Sequence, residues 1–179
     1  MMKAKMQKAL NKQINEELFS YYLYLSMSTH FQSVNLLGVS NWFYVQAQEE
    51  MTHAMRMFHF ISERGGKVNL LAIKAPATEW ESPLEAFEAA YGHECHITEC
   101  INKLVDLAIQ EKDHATNAFL QWFVNEQVEE EASADEIVQK MKMVDGNPSG
   151  LYMADQELAA RVFAPPADMT PGQTGAAGL

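Results

Sequence analysis

The sequence predicts an all-α fold: a four-helix bundle with one long crossover and a short fifth helix near the C-terminal end. Three observations predict it. Ala, Leu, Met, Glu, Gln and Lys fill long segments with apolar residues at helical spacing, and no strand-like alternation of any length interrupts them. Helix stop signals cut the chain at only a few places. One connection between segments is far longer than the others.

In chain order, the spacing predicts α1 over about Lys5–Ser33, α2 over Val39–Arg64, α3 over Pro83–Glu111, α4 over His114–Val144 and a short α5 over Leu151–Phe163. Gly65-Gly66 closes α2, and Asp145-Gly146-Asn147-Pro148 closes α4. Ser82-Pro83-Leu84-Glu85 opens α3 as a capping box, with Ser82 as N-cap, Pro83 at N1 and Glu85 at N3. Short connections make α1/α2 and α3/α4 antiparallel hairpins. The stretch Gly65–Ser82 is different: fully extended it reaches roughly 59 Å, against about 39 Å for the length of α2. It can therefore run back along the bundle and make α2 and α3 parallel, a bundle topology with one long crossover. The α5 stripe of Leu151, Ala154, Leu158 and Val162 is too short to hold a helix alone and must pack on neighbours.

A chain of 179 residues fits one domain with a real core. Residues 1–163 are assigned to it, while residues 164–179 are rich in Pro, Gly and Ala without an apolar period and read as a disordered tail. The 24 acidic and 13 basic residues leave a formal charge of −11, which makes nucleic acid and anionic membranes poor partners. No apolar run of 18 residues is present, and the polar start MMKAKMQKALNKQ lacks a signal-like apolar core, so the cytoplasm is the expected compartment. Cys95 and Cys100 lie about 140° apart around a helix, too far round for easy bridging, and read as buried, inert thiols.

Chemistry enters where carboxylates interrupt the apolar stripes. On α3 the inward face runs Phe87, Tyr91, Glu94, Thr98, Ile101, Val105; on α2 it runs Trp42, Phe43, Gln46, Glu50, His53, Met57, Phe60. On α1 it carries Ile14, Glu17, Tyr21, Tyr24, and on α4 Phe119, Phe123, Gln127, Glu130, Ala134, Ile137. A lone Glu on a helix is usually solvated, and a lone His on an apolar stripe is usually a satisfied core residue. Four coincident interruptions are another matter. Parallel α2 and α3 put Glu50 and Glu94 both about 17 Å from one end, and an antiparallel α3/α4 pair brings Glu130 level with Glu94; Glu17 falls within ragged helix ends of the same height. Such a cluster would unfold a marginally stable domain unless a cation sat within it, and the core offers no Lys or Arg at that level. Oxygen donors with one imidazole, Glu50-x-x-His53 included, suit a pair of iron or manganese ions.

Over about residues 1–163 the chain resembles the bacterial non-haem ferritins. The resemblance lies in Ala47-Gln48-Glu49-Glu50-Met51-Thr52-His53, in Phe119-Leu120-Gln121-Trp122 leading to Glu126-Gln127-Val128-Glu129-Glu130-Glu131, and in Gly150-Leu151-Tyr152. It implies a di-iron ferroxidase centre with one site of Glu17, Glu50 and His53 and a second of Glu50, Glu94 and Glu130, with Gln127 beside it. It also implies a third iron site of Glu49, Glu126, Glu129 and Glu130, and Tyr24 as the neighbouring tyrosine. The partners it implies are Fe(II), Fe(III) and O2 or hydrogen peroxide, and the assembly is a homo-oligomeric shell of 24 subunits storing ferric mineral, with the fifth helix at a four-fold axis. No haem is expected.

Two relatives compete. Met51 stands where haem-containing bacterioferritin has its haem-ligating methionine, but haem-free bacterial ferritins share it, and α4 lacks the second Glu-x-x-His of bacterioferritin because no His lies between residues 115 and 179. A rubrerythrin-like di-iron peroxidase would add a Cys-x-x-Cys module, which Cys95 and Cys100 do not form. A helical interaction module with solvated acidic residues is the third reading.

Overall fold

A computed structural model describes residues 2–166 of the chain. Its elements are α1 Ala4–Ser33, α2 Leu37–Glu63, α3 Pro83–Gln110, α4 His114–Val144 and α5 Pro148–Leu158, with no strand among the described residues. The four long helices match their expected spans to within two residues, and none of the described helices is long and apolar enough to cross a membrane. Residues 164–166 follow α5 without regular structure, and residues 167–179, most of the expected tail, lie outside the described residues.

The long connection takes the route that its length allows. It leaves α2 at Gly65, whose φ of +68° suits a residue without a Cβ. Asn11, in the second turn of α1, donates to the Lys67 carbonyl (3.1 Å) and accepts from the Asn69 amide (2.6 Å). Farther along α1, Ser26 donates to the Ala77 carbonyl (2.7 Å), and His30 meets Trp80 edge to face. The crossover thus climbs α1 from one end to the other, and α3 starts beside the start of α2. The two helices run parallel.

Caps fix the helix starts. Ser82 Oγ accepts from the Glu85 amide (3.1 Å) as expected, but the Glu85 carboxylate accepts from the Glu81 amide (2.5 Å), one residue before the position a capping box uses. Asp113 caps α4 by accepting from Thr116 and is itself held by Arg64 (3.1 Å).

The fifth helix differs from its expected span. Asn147 Oδ1 accepts from the Gly150 amide and Pro148 takes the first turn, so the residues that end α4 also begin α5, which stops at Leu158 and not Phe163. Ala154 and Leu158 of the expected stripe are buried, Leu151 is half-buried, and Val162 lies outside the helix and is exposed. What docks α5 is polar. Buried Asp155 accepts from the Val39 amide (2.9 Å), an otherwise unpaired donor in the first turn of α2. Gly38 allows the approach, since a Cβ there would lie 1.6 Å from the Asp155 carbonyl oxygen. Cys95 and Cys100 are free thiols and half-exposed, not buried as expected.

The core divides into two apolar blocks. One gathers Tyr24, Met27, Phe31, Trp42, Phe43, Phe87, Ile137 and Met141; the other gathers Met6, Leu10, Ile14, Met57, Ile61, Ile97, Ile101, Leu120 and Phe123. A polar layer separates them.

Asp155→Ala is expected to cost about 1–3 kcal/mol by orphaning the Val39 amide, and Gly38→Ala to cost more. Hydrogen exchange should rise across α5 in both variants while the α3/α4 hairpin stays protected; unchanged protection of α5 in either variant refutes this docking.

Candidate metal centre

The polar layer holds one interruption from each long helix. Glu17 from α1, Glu50 and His53 from α2, Glu94 from α3, and Glu130 and Gln127 from α4 are all buried. Their donors are local. Gln13, one turn before Glu17, donates to its Oε1 (3.0 Å), and Gln46, one turn before Glu50, donates to Glu130 Oε2 (2.5 Å) and reaches Glu50 Oε1 (3.5 Å). The Tyr24 hydroxyl donates to Glu94 Oε1. The single Thr98 hydroxyl proton is shared between Gln127 Oε1 (3.0 Å) and Glu131 Oε1 (2.5 Å).

These bonds satisfy one oxygen of each carboxylate and leave another. Glu17 Oε2, Glu50 Oε2 and Glu94 Oε2 are buried and receive no hydrogen bond from a neighbouring donor group, while the Glu17 and Glu50 carboxyls bond to each other. His53 Nδ1 lies 3.5 Å from Glu50 Oε2, and its ring is held edge to face by Trp122 and Phe123. Ligand atoms of Glu17, Glu50 and His53 all fall within 4.8 Å of one another, and so do those of His53, Glu126 and Glu130. Glu94 lies in the same layer but outside both close groups.

Burial dominates the electrostatics. It pushes the Glu17 carboxyl up to about 8, with Glu50 adding to the effect, and Glu130 up to about 8, with Glu94 adding. Glu50 is driven well above the carboxylate range by burial and Glu130, and Glu94 by burial and Glu50. Burial and the Glu94 charge hold Tyr24 well above its usual value, so its proton stays available to Glu94. No Lys or Arg is buried among the described residues. The layer therefore meets neutral pH largely as carboxylic acids. A divalent cation pair with oxygen ligands and one imidazole is the counter-charge that this donor set fits.

The remaining expected residues sit around this layer. Glu126 is half-buried, with its carboxyl raised by burial. Glu49 is also half-buried and raised by burial, and it is not brought into either close group; Arg161 holds its Oε2 at 2.5 Å. Glu129 is exposed at the rim. Sequence reasoning passed over Gln13 and Gln46 as functional groups, although Gln13-x-x-x-Glu17 and Gln46-x-x-x-Glu50 repeat one pairing at helical i,i+4 spacing. It also missed Arg161, for which no local signal existed.

Comparison with known proteins shows the family of the chain. The ferritin-like domain family matches residues 7–144. "Bacterial non-heme ferritin" of Bacteroides fragilis is 44% identical over 161 residues, covering 90% of this chain and 100% of the relative, and that of Campylobacter jejuni is 41% identical over 151 residues, covering 84% and 90%. An open pore ferritin of the archaeon Archaeoglobus fulgidus superposes with a TM-score of 0.90 at 54% identity, covering 90% of this chain and 100% of that one. The chain belongs to the ferritin family. Within that family its curated relatives are bacterial non-haem ferritins, and its structural neighbours are archaeal.

The raised carboxyls give a signed pH dependence. A group whose pKa is about 8 folded and about 4.5 unfolded supports the metal-free fold below 4.5 and loses that support as pH rises toward 8, at about 1.4 kcal/mol per pH unit at most. The metal-free protein should thus melt progressively earlier from pH 5 to pH 8, and the Glu17→Gln, Glu130→Gln double variant should melt with a flatter pH profile. A parent profile that is flat or rises over this window contradicts the assignment.

Proposed function

We propose that the chain is an iron-storage ferritin subunit that works as a ferroxidase, oxidising Fe(II) at the buried carboxylate layer and releasing Fe(III) for deposition as a ferric mineral. The observation that carries this reading is the set of three buried carboxylate oxygens that no neighbouring donor satisfies, in a layer with no buried Lys or Arg among the described residues. Iron is the substrate. One Fe(II) would take Glu17, Glu50 and His53, and a second would take Glu50, Glu94 and Glu130, with Glu50 shared and Gln127 beside them. Two Fe(II) give up one electron each, and O2 takes both electrons with two protons to form hydrogen peroxide; peroxide serves as the alternative oxidant. Carboxyls that hold protons at neutral pH release them as metal binds, so iron uptake frees protons to the medium, and the two protons taken up with O2 are drawn from the medium in turn.

The apolar blocks on either side of the layer keep bulk water from the oxidant. Tyr24, tied to Glu94, stands at the edge of the pair and fixes that carboxylate. The assembly that this function uses is a homo-oligomeric cage of 24 subunits in the cytoplasm, without haem, and the −11 charge favours Fe(II) entry and mineral growth. Glu126 and Glu130, close to His53, would form a third iron site with Glu49 and Glu129 at its rim.

Glu50→Ala should lower the rate of rapid Fe(II) oxidation by more than the roughly 10–100-fold that outer changes already cost metal sites, and His53→Ala should do so less severely. The metal-free helices should melt no earlier than the parent's, because one orphaned buried carboxylate has gone. Stopped-flow oxidation with size-exclusion chromatography and iron loading tests the reading: a small oligomer that loads no iron, or fast oxidation in Glu50→Ala, ends it. Replacing Glu49, Glu126 and Glu129 together by Ala should spare the first two-iron oxidation and change the iron bound per subunit and the iron-to-oxygen ratio. An unchanged stoichiometry in that variant argues against the third site.

A further inference from the structure

We infer that Arg161 is a latch on the third metal position: its guanidinium holds Glu49, so that a cation gains this carboxylate only by displacing the arginine. The inference rests on the third-site reading proposed above. Arg161 lies past the end of α5, where the Asn41 amide pins its carbonyl (2.9 Å) together with those of Leu158 (3.3 Å) and Ala159 (3.4 Å). The guanidinium sits 4.5 Å over the Trp42 ring, and Nη1 donates to the Trp42 carbonyl (3.3 Å). Nη2 pairs with Glu49 Oε2 (2.5 Å), with both side chains about a quarter exposed (23% and 24%). It is a shielded pair on a rigid aromatic floor.

The same guanidinium reaches the layer through one amide. Nη1 donates to Gln46 Oε1 (2.9 Å), and arginine can only donate, so this contact fixes the oxygen end of the amide outward and the NH2 end inward. The NH2 end meets Glu130 (2.5 Å) and Glu50 (3.5 Å). Arg161 is thus a positioning residue with two arms. One arm occupies Glu49, and the other orients the donor that the inner carboxylates share.

Two consequences follow from competition for one carboxylate. Third-site affinity is reduced by the work of separating Glu49 from Arg161. By linkage, a filled third site must weaken the docking of the segment that carries Arg161 by the same factor. Iron at the inner pair needs no such release, since this arginine pairs with none of Glu17, Glu50, Glu94 and Glu130 directly and reaches Glu50 and Glu130 only through Gln46.

Anaerobic Co(II) titration of the assembled full-length protein by calorimetry tests the latch, because Co(II) accepts the same donors without being oxidised. Arg161→Gln should tighten the third binding event several-fold, up to about tenfold, with the first two events shifted much less. Arg161→Lys keeps the charge and the packing on Trp42 but loses the two-pronged grip, and should fall between. It also carries the test if the Gln variant fails to assemble. Lys103→Gln removes the same charge from the exposed Lys103–Glu99 pair and should leave the third event at parental affinity, which separates the latch from a general gain in negative charge. In the parent, hydrogen exchange over residues 159–166 should speed up when the third event saturates. If Glu49→Gln removes the third event but both Arg161 variants leave it at parental affinity, the latch is wrong and the third site stands. If no variant, Arg161→Gln included, shows a third event, the three-metal reading falls and the latch with it.

Discussion

Four carboxylates share one slice of a helical core, with no lysine or arginine buried among the described residues, and the rest of the structure is arranged around that burden. Charged, such a layer would cost several kcal/mol per group even after relaxation, an amount comparable to the whole stability of a domain. Two responses are visible. Burial holds the carboxyls protonated over most of the neutral range, and each receives a donor from a neighbour that is itself packed in place: Gln13 for Glu17, Gln46 for Glu50 and Glu130, and Tyr24 for Glu94. The donors take one oxygen of Glu17, Glu50 and Glu94 and leave the other without a neighbouring donor. That half-satisfaction would be a defect in an ordinary core. In a metal centre it is pre-organisation, since the anchored oxygen fixes the rotamer and leaves the other oxygen to a metal.

The layer can exist only because the helices bring it to one height. A four-residue slip of any helix would move its carboxylate by about 6 Å and bury it among apolar side chains. The crossover prevents such a slip in α1 and α3 by fastening to Asn11 at one end of α1 and to Ser26 and His30 near the other. The apolar blocks above and below lock the register further: Phe43 stacks on Phe87, Tyr24 and Phe31 on one side, and Phe119 stacks on Phe60 on the other. Register, and with it the chemistry, is a property of the whole bundle and not of the site residues alone.

Much of this was legible in the sequence, because the information is periodic. The spans of the four long helices, the parallel α2 and α3, and the inward placement of Glu17, Glu50, His53, Glu94, Gln127 and Glu130 follow from apolar spacing, stop signals and loop length. What escaped has physical reasons. Asn147-Pro148 can end one helix or begin the next, and only the 3.1 Å contact from the Gly150 amide to Asn147 decides in favour of both roles. The end of α5 at Leu158 is set by docking on α2 through Asp155, a contact 116 residues away in the chain. Arg161 meets Glu49 across 112 residues from outside any helix, and no period on either segment could announce that pairing. No Lys or Arg occurs between residues 113 and 139, and the fold brings Arg161 to Glu49 from elsewhere in the chain.

Burial also sorts the counter-ions around the centre. The four inner carboxylates are too deep for a long cationic side chain to reach without losing its own hydration, so the proton, the smallest available cation, neutralises them. Glu49 lies one layer farther out, where the Trp42 face can carry a guanidinium, and Arg161 does the work there. Glu129 is exposed and needs only water. A metal arriving at each position must displace a different occupant, and the cost takes a different form in each case. Protons leave the inner layer, so affinity there is governed by pH. In the proposed third site an arginine would leave Glu49, so affinity there would be governed by the docking of the segment after α5 and, because the ion pair is partly exposed, by salt as well. The same gradient of exposure that lets one bundle hold a strongly acidic core would thus give the proposed inner and outer metal positions separate thermodynamic controls.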